Sequence, residues 1–548
     1  MKSQSKPTGL RYWMLRVLHE CDNVAANFSA DPVHDLRVSL RRCRSLADGM
    51  MAMDPDPSWK VMKKAGKALF QRLGDLRDIQ IMMEWIEKLE AQVERTTAVE
   101  RATQGESRSA NGGSNRDAQA SSHHPAAQAL LHILRARETE QKQEARSALA
   151  EFDRKQWRQW SKSLPARAAR IRPGSVVFKH LALERWTTAR ELHTRAMRTR
   201  SQVALHTLRI AIKRFRYIVE NFLPAEHQLW GNDLKHLQDL LGEVHDLDVL
   251  WATALSWHVF PNEASRNAWH ERIVEERTKR MDEYREKTVG EDSLWHVWRA
   301  GLPRGKQIQE IATRRMKLWA KVLDPDFAHS ERVARLSLQL YDSIDAAGLF
   351  HRQRVENNGD ASHERENLYV AALLHDVGKS KGNKGHHKES LELIKKHGTP
   401  LGWKEDDMRL AGLVARFHSG ALPVRSHKTI RDLLPDEQRT VVRLAAVLRL
   451  ANALDATHDG NIRRVKLENP NDRDRVRPTN GFLRRPVGLR KNEALVIGAE
   501  GYNDGTATAQ AVAAERYLLE TVLGRPVLVR PASGVRPSLA AVHVNPRS

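Results

Sequence analysis

At 548 residues the chain exceeds the size at which one hydrophobic core keeps growing, so two or three domains are expected. Its 90 Lys and Arg against 68 Asp and Glu give a formal charge of +22, a field that draws nucleic acid, anionic lipid or another polyanion without choosing among them. Cys21 and Cys43 are too few for a disulfide framework and sit in no metal-binding spacing, which excludes a disulfide-stapled secreted fold and suits a reducing cytoplasm.

The opening segment, MKSQSKPTGLRYWMLRVLHE, has no apolar stretch of signal-peptide length, and no later run approaches a membrane span. A soluble, cytoplasmic protein with no membrane partner is expected. From there to about residue 320 apolar residues recur at three- and four-residue spacing, the helix period. One stretch breaks this pattern: residues 101–127, RATQGESRSANGGSNRDAQASSHHPAA, read as a flexible linker.

The two flanks of that linker repeat one another. His34-Asp-Leu-Arg37-Val-Ser-Leu-Arg41-Arg42-Cys-Arg44 matches His206-Thr-Leu-Arg209-Ile-Ala-Ile-Lys213-Arg214-Phe-Arg216 in residue type at the same offsets. Each copy is followed by a second shared pattern, Leu73-Gly74-Asp75-Leu76-Arg77-Asp78-Ile79 and Leu241-Gly242-Glu243-Val244-His245-Asp246-Leu247. On a helix, His34, Arg37, Arg41 and Arg44 fall within an arc of about 80°, with Leu36, Leu40 and Cys43 opposite. The second copy places His206, Arg209, Lys213 and Arg216 against Leu208, Ile212 and Phe215 in the same way.

Like charges at these spacings repel by roughly 0.2–0.5 kcal/mol per pair, a penalty that a polyanion laid along the stripe would reverse. Arg binds phosphate oxygens in a bidentate manner, Lys adds a point charge, and His donates as imidazolium once an anion raises its pKa. Lys63, Lys64, Lys67, Arg72 and Lys235 extend the candidate site. A solvated cationic face paired with neighbouring acids is the plainer alternative, and duplication of the stripe argues against it.

The pattern changes near residue 325, where a DPD turn opens a region dense in His and Asp that runs to Asp459. From 461 onward Arg464-Val-Lys-Leu467, Ala494-Leu-Val-Ile497 and Val527-Leu-Val-Arg530 read as short strands, with a helix at about 507–523. Trp157, Trp160, Trp251 and Trp257 lie at helical spacings that suit core packing.

The duplicated HxxRVxxRRxR-like helix and LGxxxD pattern resemble the CHAD domain (conserved histidine α-helical domain), over roughly residues 10–290. The resemblance implies two pseudo-symmetric four-helix bundles around a basic pore, inorganic polyphosphate as partner, and association with polyphosphate granules. It carries over His34, Arg37, Arg41, Arg42, Arg44, His206, Arg209, Lys213, Arg214 and Arg216 as polyphosphate-binding positions. The long Ser/Gly-rich linker and His245 in place of Arg77 depart from that pattern. No RNP, zinc-finger or basic-zipper motif occurs and few aromatics interleave with the cations, so no sequence-specific nucleic-acid partner is expected.

The order His329, His375-Asp376 in Ala-Ala-Leu-Leu-His-Asp-Val-Gly-Lys, His386-His387, His418 and Asp455 resembles the HD-domain phosphohydrolases. Imidazole and carboxylate suit Mg²⁺, Mn²⁺ or another transition metal, which makes water acidic enough to attack phosphorus. By resemblance His329, His375, Asp376 and Asp455 form a first metal site, and His386 or His387 with His418 forms a second bridged by Asp376. Asp376 and Lys379 are the candidate catalytic residues, Lys379 holding a substrate phosphate.

The segment Gly-His-His-Lys-Glu-Ser-Leu-Glu-Leu-Ile, then Phe-His-Ser and an α/β tail, is similar to the C-terminal part of the exopolyphosphatase/guanosine pentaphosphatase (Ppx/GppA) family, with Glu389 where that family often has another His. The actin-like domain in which that family hydrolyses polyphosphate has no counterpart in this chain.

The expected fold is therefore mainly α: a bundle pair over 1–320, an all-α HD domain over 325–460, a small α/β module over 461–535 and a tail over 536–548. Three functions follow: polyphosphate binding joined to a metal-dependent phosphohydrolase, a non-enzymatic granule scaffold, or an HD enzyme acting on nucleotides. The sequence leaves oligomeric state open.

Overall fold

The computed structural model describes residues 9–105, 124–350, 359–468 and 494–532. Contacts divide the chain into Met1–Ile311 and Ala312–Ser548.

Leu, Met and Trp at helical spacing build the first unit from two successive sets of helices. The first set is α1 (Leu10–Ala26), α2 (Ala30–Met51), α3 (Pro57–Gly105), α4 (His124–Glu151) and α5 (Arg154–Ala168). The second is α6 (Val176–Thr199), α7 (Gln202–Phe222), α8 (Pro224–Ser256), α9 (Glu263–Thr288) and α10 (Leu294–Ala300). Packing runs α1 on α2, α2 on α3 and α3 on α4 in one set, and α6 on α7, α7 on α8 and α8 on α9 in the other. The two sets meet where α2 crosses α7 and α3 crosses α8.

Local chemistry explains these elements. Pro57 opens α3 where its missing N–H costs nothing, and Asp56 accepts from the Ser58 amide at 2.8 Å. Asp54 takes a forked bond from Arg167 at 2.7 and 2.9 Å, tying the end of α5 to the turn between α2 and α3. At the crossing of α2 and α7, a Cβ on Gly49 would stand 2.2 Å from the Phe222 ring, so the close approach requires glycine.

The linker expected over 101–127 is shorter at both ends, because α3 continues to Gly105 and α4 starts at His124; the Ala, Glu and Arg preceding Gly105 favour helix. Its centre, 106–123, lies outside the described residues. Cys21 and Cys43 are fully buried, and burial pushes the Cys21 thiol up to about 12. Trp157 is fully buried and donates to the Met14 carbonyl at 3.0 Å.

In the second unit α11 (Lys306–Leu323) contributes Ala312, Met316, Trp319 and Ala320 to the core, so that unit begins earlier than residue 325. α12 (Phe327–Ala346), α13 (Gly359–Leu374), α14 (His386–His397), α15 (Glu405–Arg416), α16 (Lys428–Arg431) and α17 (Pro435–Leu454) follow, with a 3-10 turn over Val377–Lys381. β1 (Arg464–Leu467), β2 (Leu495–Glu500) and β3 (Val527–Pro531) form a sheet in that order, β1 antiparallel and β3 parallel to β2.

The helix expected at 507–523 is split at Arg516 into α18 (Ala507–Glu515) and α19 (Tyr517–Leu523). Val465, Ile497 and Val527 share one core with Leu336, Leu374 and Leu448, so the terminal module completes the helical core of its unit. The tail at 536–548 lies outside the described residues, and no described helix is long and apolar enough to cross a membrane.

Candidate functional site

Helices α2 and α7 carry the cationic stripes, and their apolar faces fix where the stripes point. Leu36, Leu40 and Cys43 are fully buried on α2, as are Leu208, Ile212 and Phe215 on α7. The crossing of the two helices then brings the cations of both copies together. Burial lowers Lys213 to about 7, and Arg41, Arg209, Arg37 and Arg216 add to that by repulsion. Nε of Arg41, Arg209 and Arg216 and Nη1 of Arg44 are buried with no hydrogen-bond partner among the described residues.

Aromatic rings and acids hold this cluster. Phe70 lies under Arg37 at 4.9 Å and Arg44 at 4.7 Å, and Tyr217 packs against Arg41 at 5.8 Å and Arg216 at 5.9 Å. Gly74 explains itself here, since a Cβ on it would sit 2.5 Å from Arg37 Nη1. Burial raises Asp78, against which Arg37, Arg209 and Arg77 pull; Asp246 rises to about 6 by burial, with Arg209 opposing and Asp78 adding. These two acids thus answer to arginines of both repeats. The second shared pattern contained them, without a role assigned; Phe70 and Tyr217 gave no signal because they lie outside the matched offsets.

Among the other expected positions, His34 is lowered by partial burial, to which Arg77, Arg41 and Arg37 add. Arg42 pairs with Glu220 and lies over Trp13 at 5.1 Å. Arg214 is exposed, and so are His34, Lys64 and Lys67. His206 packs against His245 at 4.8 Å, and burial with Arg209 lowers both imidazoles, His245 to about 4. Lys63 pairs with Asp48, Arg72 with Glu144 at 3.0 Å and Lys235 with Asp239 at 2.7 Å.

In the second unit Asp376 is the hub. It sits 2% exposed at the turn after α13, with Lys379 Nζ 2.6 Å from Oδ2, His375 Nε2 3.4 Å from Oδ2, and His386 Nε2 3.3 Å and His418 Nε2 3.7 Å from Oδ1. Burial alone would raise its pKa, yet His375, His386, His418 and Lys379 together hold it well below the usual carboxylate range. The turn is fixed by Ser390, which accepts from the Gly378 amide at 2.9 Å and donates to the His375 carbonyl at 2.6 Å. A Cβ on Gly378 would meet the His386 carbonyl oxygen at 2.0 Å, which is why the HDVGK motif needs its glycine.

Three imidazoles share one orientation. Nδ1 of His375, His386 and His418 faces the carbonyl three residues back, of Ala372, Asn383 and Ala415, at 2.7, 2.9 and 2.7 Å. An Nδ1–H donated to that carbonyl leaves Nε2 of His375 and His418 as a lone pair, the tautomer a metal ligand needs, whereas the hydrogen bond from His386 to Asp376 raises the pKa of that imidazole. Burial lowers His375 and His418 and keeps them neutral. His375 Nε2 and Asp376 Oδ1 are buried without hydrogen-bond partners among the described residues.

Among the described residues two groups could hold an ion: His329, His375 and Asp376, and Asp376, His386 and His418, with the ligand atoms of each within 4.8 Å of one another. His387 is in neither; its ring stands 6.4 Å from that of His418, and Ser419 Oγ is 3.5 Å from its Nδ1. Asp455, expected as a ligand, is also outside both groups. Arg332 Nε donates to its two oxygens at 2.9 and 3.0 Å, and His329 Nδ1 lies 2.7 Å from Oδ2.

Asn452, 2.9 Å from His329 Nε2, and His458, stacked on the His329 ring at 3.8 Å, line the same cavity of about 250 Å³, together with Lys379, Ser419 and Glu515. Arg332 and Asn452 were missed in the sequence although each lies three residues from an expected ligand, one helical turn away.

Family models match both halves. The CHAD domain model matches residues 15–255, and the model for Ppx/GppA phosphatase, domain III matches residues 310–492. The chain joins a CHAD domain to a Ppx/GppA domain III. Both stripes fall in the CHAD match, which ends before α9 and α10, and the His/Asp cluster falls in domain III. No curated protein matches the chain.

Proposed function

We propose that the CHAD unit binds inorganic polyphosphate along the cationic ridges of α2 and α7, and that the domain III cluster binds a divalent cation pair and hydrolyses a phosphate ester or anhydride. The observation that carries the first part is Lys213, driven to about 7 amid Arg37, Arg41, Arg209 and Arg216, two from each repeat. A polyphosphate chain supplies negative charge beyond that of Asp78 and Asp246, and the guanidinium groups supply donors. Buried aromatics stack on arginine, so the surface suits phosphates better than bases: Tyr217 is 7% exposed.

The second part is supported by His375 Nε2 and Asp376 Oδ1, which have no hydrogen-bond partner among the described residues, and by the neutral imidazoles of His375 and His418 beside one carboxylate. A cation pair bound there would polarise a phosphoryl oxygen and acidify water. His375, His386, His418 and His329 would hold it with Asp376 shared between the two positions, Asp455 and Arg332 would fix the His329 ring, and Lys379 would turn to a substrate phosphate. Carrying both units on one chain raises the local concentration of a captured polyphosphate near the second site.

A non-enzymatic scaffold at polyphosphate granules is the second reading, favoured by Lys379 Nζ only 2.6 Å from Asp376 Oδ2, where an ammonium already neutralises the carboxylate. The deciding assay incubates purified protein with Mn²⁺ or Mg²⁺ and polyphosphate, nucleotides or a generic phosphodiester. Phosphate release lost in Asp376→Ala supports the enzyme; metal uptake without turnover supports the scaffold; preferential nucleotide turnover would move the substrate away from polyphosphate.

A further inference from the structure

Two arginines flank the loop that carries His418, and they are compensated unequally. Arg449 of α17 donates to the carbonyls of Phe417 and Gly420 at 3.0 and 3.2 Å and to Glu515 of α18 at 2.7 Å. Arg416, the last residue of α15, is 6% exposed, and its Nη1 is buried without a partner among the described residues. Its guanidinium lies over the Phe417 ring at 5.2 Å, and burial lowers its pKa. The end of α15 supplies only the partial negative charge of a helix terminus. A buried cation with no carboxylate paired to it is costly, and a bound anion removes that cost.

His387 stands beside Arg416 and falls in neither metal-binding group. The strongest charges acting on its ring belong to Arg416, His386, Lys388 and Arg449, none of them acidic. The ring lies 5.6 Å from that of His386, and Gly420, at φ +71°, leaves it room, since a Cβ there would stand 3.2 Å away. Ser419 joins this group to the metal cavity. Its Oγ is 3.5 Å from His387 Nδ1, and the residue lines the cavity with Asp376, His386 and His418.

We propose that Arg416, with His387 and Ser419, forms an anion subsite that takes the second phosphate of a phosphoanhydride whose first phosphate lies at the Asp376 cluster. This rests on the reading of that cluster as a metal-dependent phosphohydrolase site, and it narrows the substrate from phosphate esters to compounds with two linked phosphates. A monoester would leave Arg416 buried and unpaired, whereas a diphosphate offers one oxyanion to each position. The end of an inorganic chain and a nucleoside diphosphate present the same group.

The test is calorimetric titration with methylenediphosphonate, which is not hydrolysed, and with methylphosphonate, both in the presence of Mn²⁺. It uses full-length protein in which Arg37, Arg41, Arg209 and Lys213 are changed to Glu, so that the cations of the first unit do not hold the probe. The diphosphonate binds more tightly than the phosphonate. Arg416→Met weakens the diphosphonate at least about tenfold, leaves methylphosphonate and Mn²⁺ affinities unchanged, and Arg416→Lys recovers part of the loss. Without anion, Arg416→Met melts no lower than its parent, because an apolar side chain replaces an uncompensated charge, and the diphosphonate stabilises the parent more than the variant. Of tripolyphosphate and ADP, the one that displaces the probe at lower concentration names the source of the diphosphate.

Equal affinities for the two probes, or a diphosphonate affinity that survives Arg416→Met, overturns the proposal. So does a melting temperature lowered by Arg416→Met without anion, which marks the guanidinium as structural. Mn²⁺ uptake with either of these results leaves the metal reading standing; no Mn²⁺ uptake by the protein with Arg416 intact sinks that reading and this subsite with it.

Discussion

An amine buried among four guanidinium groups holds its proton weakly, and Lys213 falls to about 7 for that reason. A bound polyanion favours the charged form, so the bound pKa lies above the free one and binding takes up protons near neutral pH. Polyphosphate affinity should therefore rise as pH falls from about 8 towards 6, with the proton uptake visible in titrations run in buffers of different ionisation enthalpy. Lys213→Arg keeps the charge and should remove most of that pH dependence, leaving the smaller share of His34 and His206, which burial also lowers. In the second unit, Asp455→Ala frees the His329 ring and leaves Arg332 unpaired; metal affinity measured by calorimetry should drop about 10- to 100-fold, as for loss of a ligand's outer partner. At this scale the sequence exposed which residue types gather, but not their division of labour. Asp455 is a ligand by the HD-domain resemblance, and its contacts with Arg332 and with the His329 ring could not be read from the sequence. The choice between His386 and His387 was likewise invisible, since adjacent helical residues point about 100° apart and only the fold decides which one faces Asp376.

Two glycines at matching helical positions make opposite demands on their elements. A Cβ on Gly74 would meet Arg37 Nη1 at 2.5 Å, whereas one on Gly242 would meet nothing within 4 Å. Because the obstructing atom is the end of a flexible side chain, Gly74→Ala should fold yet displace Arg37, weakening polyphosphate binding about tenfold. Gly242→Ala should leave affinity unchanged and stabilise α8 by about 0.5–1 kcal/mol through helix propensity, read as a higher denaturation midpoint. Gly378→Ala has no such escape, since its Cβ would meet the His386 carbonyl at 2.0 Å, which is backbone. Metal binding should be lost along with about 1–3 kcal/mol or more of stability in that unit. Helix period, strand segments and the duplicated pattern were all readable, because amphipathic spacing and local propensity dictate them. The extension of α3 to Gly105, the break at Arg516 and the recruitment of α11 into the second core were not, as each depends on what the element packs against.

For the molecule as a whole, a repeat visible in the sequence becomes a functional statement only when α2 and α7 cross, because that crossing assembles cations from segments far apart in the chain. The pseudo-dyad itself was legible from the matched offsets. Its unequal ion pairing, Arg42 with Glu220 but Asp48 with Lys63, was not, since the fold decides which partners meet. Binding driven by an assembled cationic cluster releases counterions and must weaken steeply with salt, in proportion to the number of phosphates neutralised. The most direct measurement is the affinity of the full-length protein for long-chain polyphosphate as a function of salt concentration, for wild type and for a variant with Arg37, Arg41, Arg209 and Lys213 changed to Glu. Tight, salt-sensitive binding in wild type, with both the affinity and the salt slope collapsing in the variant, is the predicted result; an affinity and slope that survive the four reversals would contradict the account.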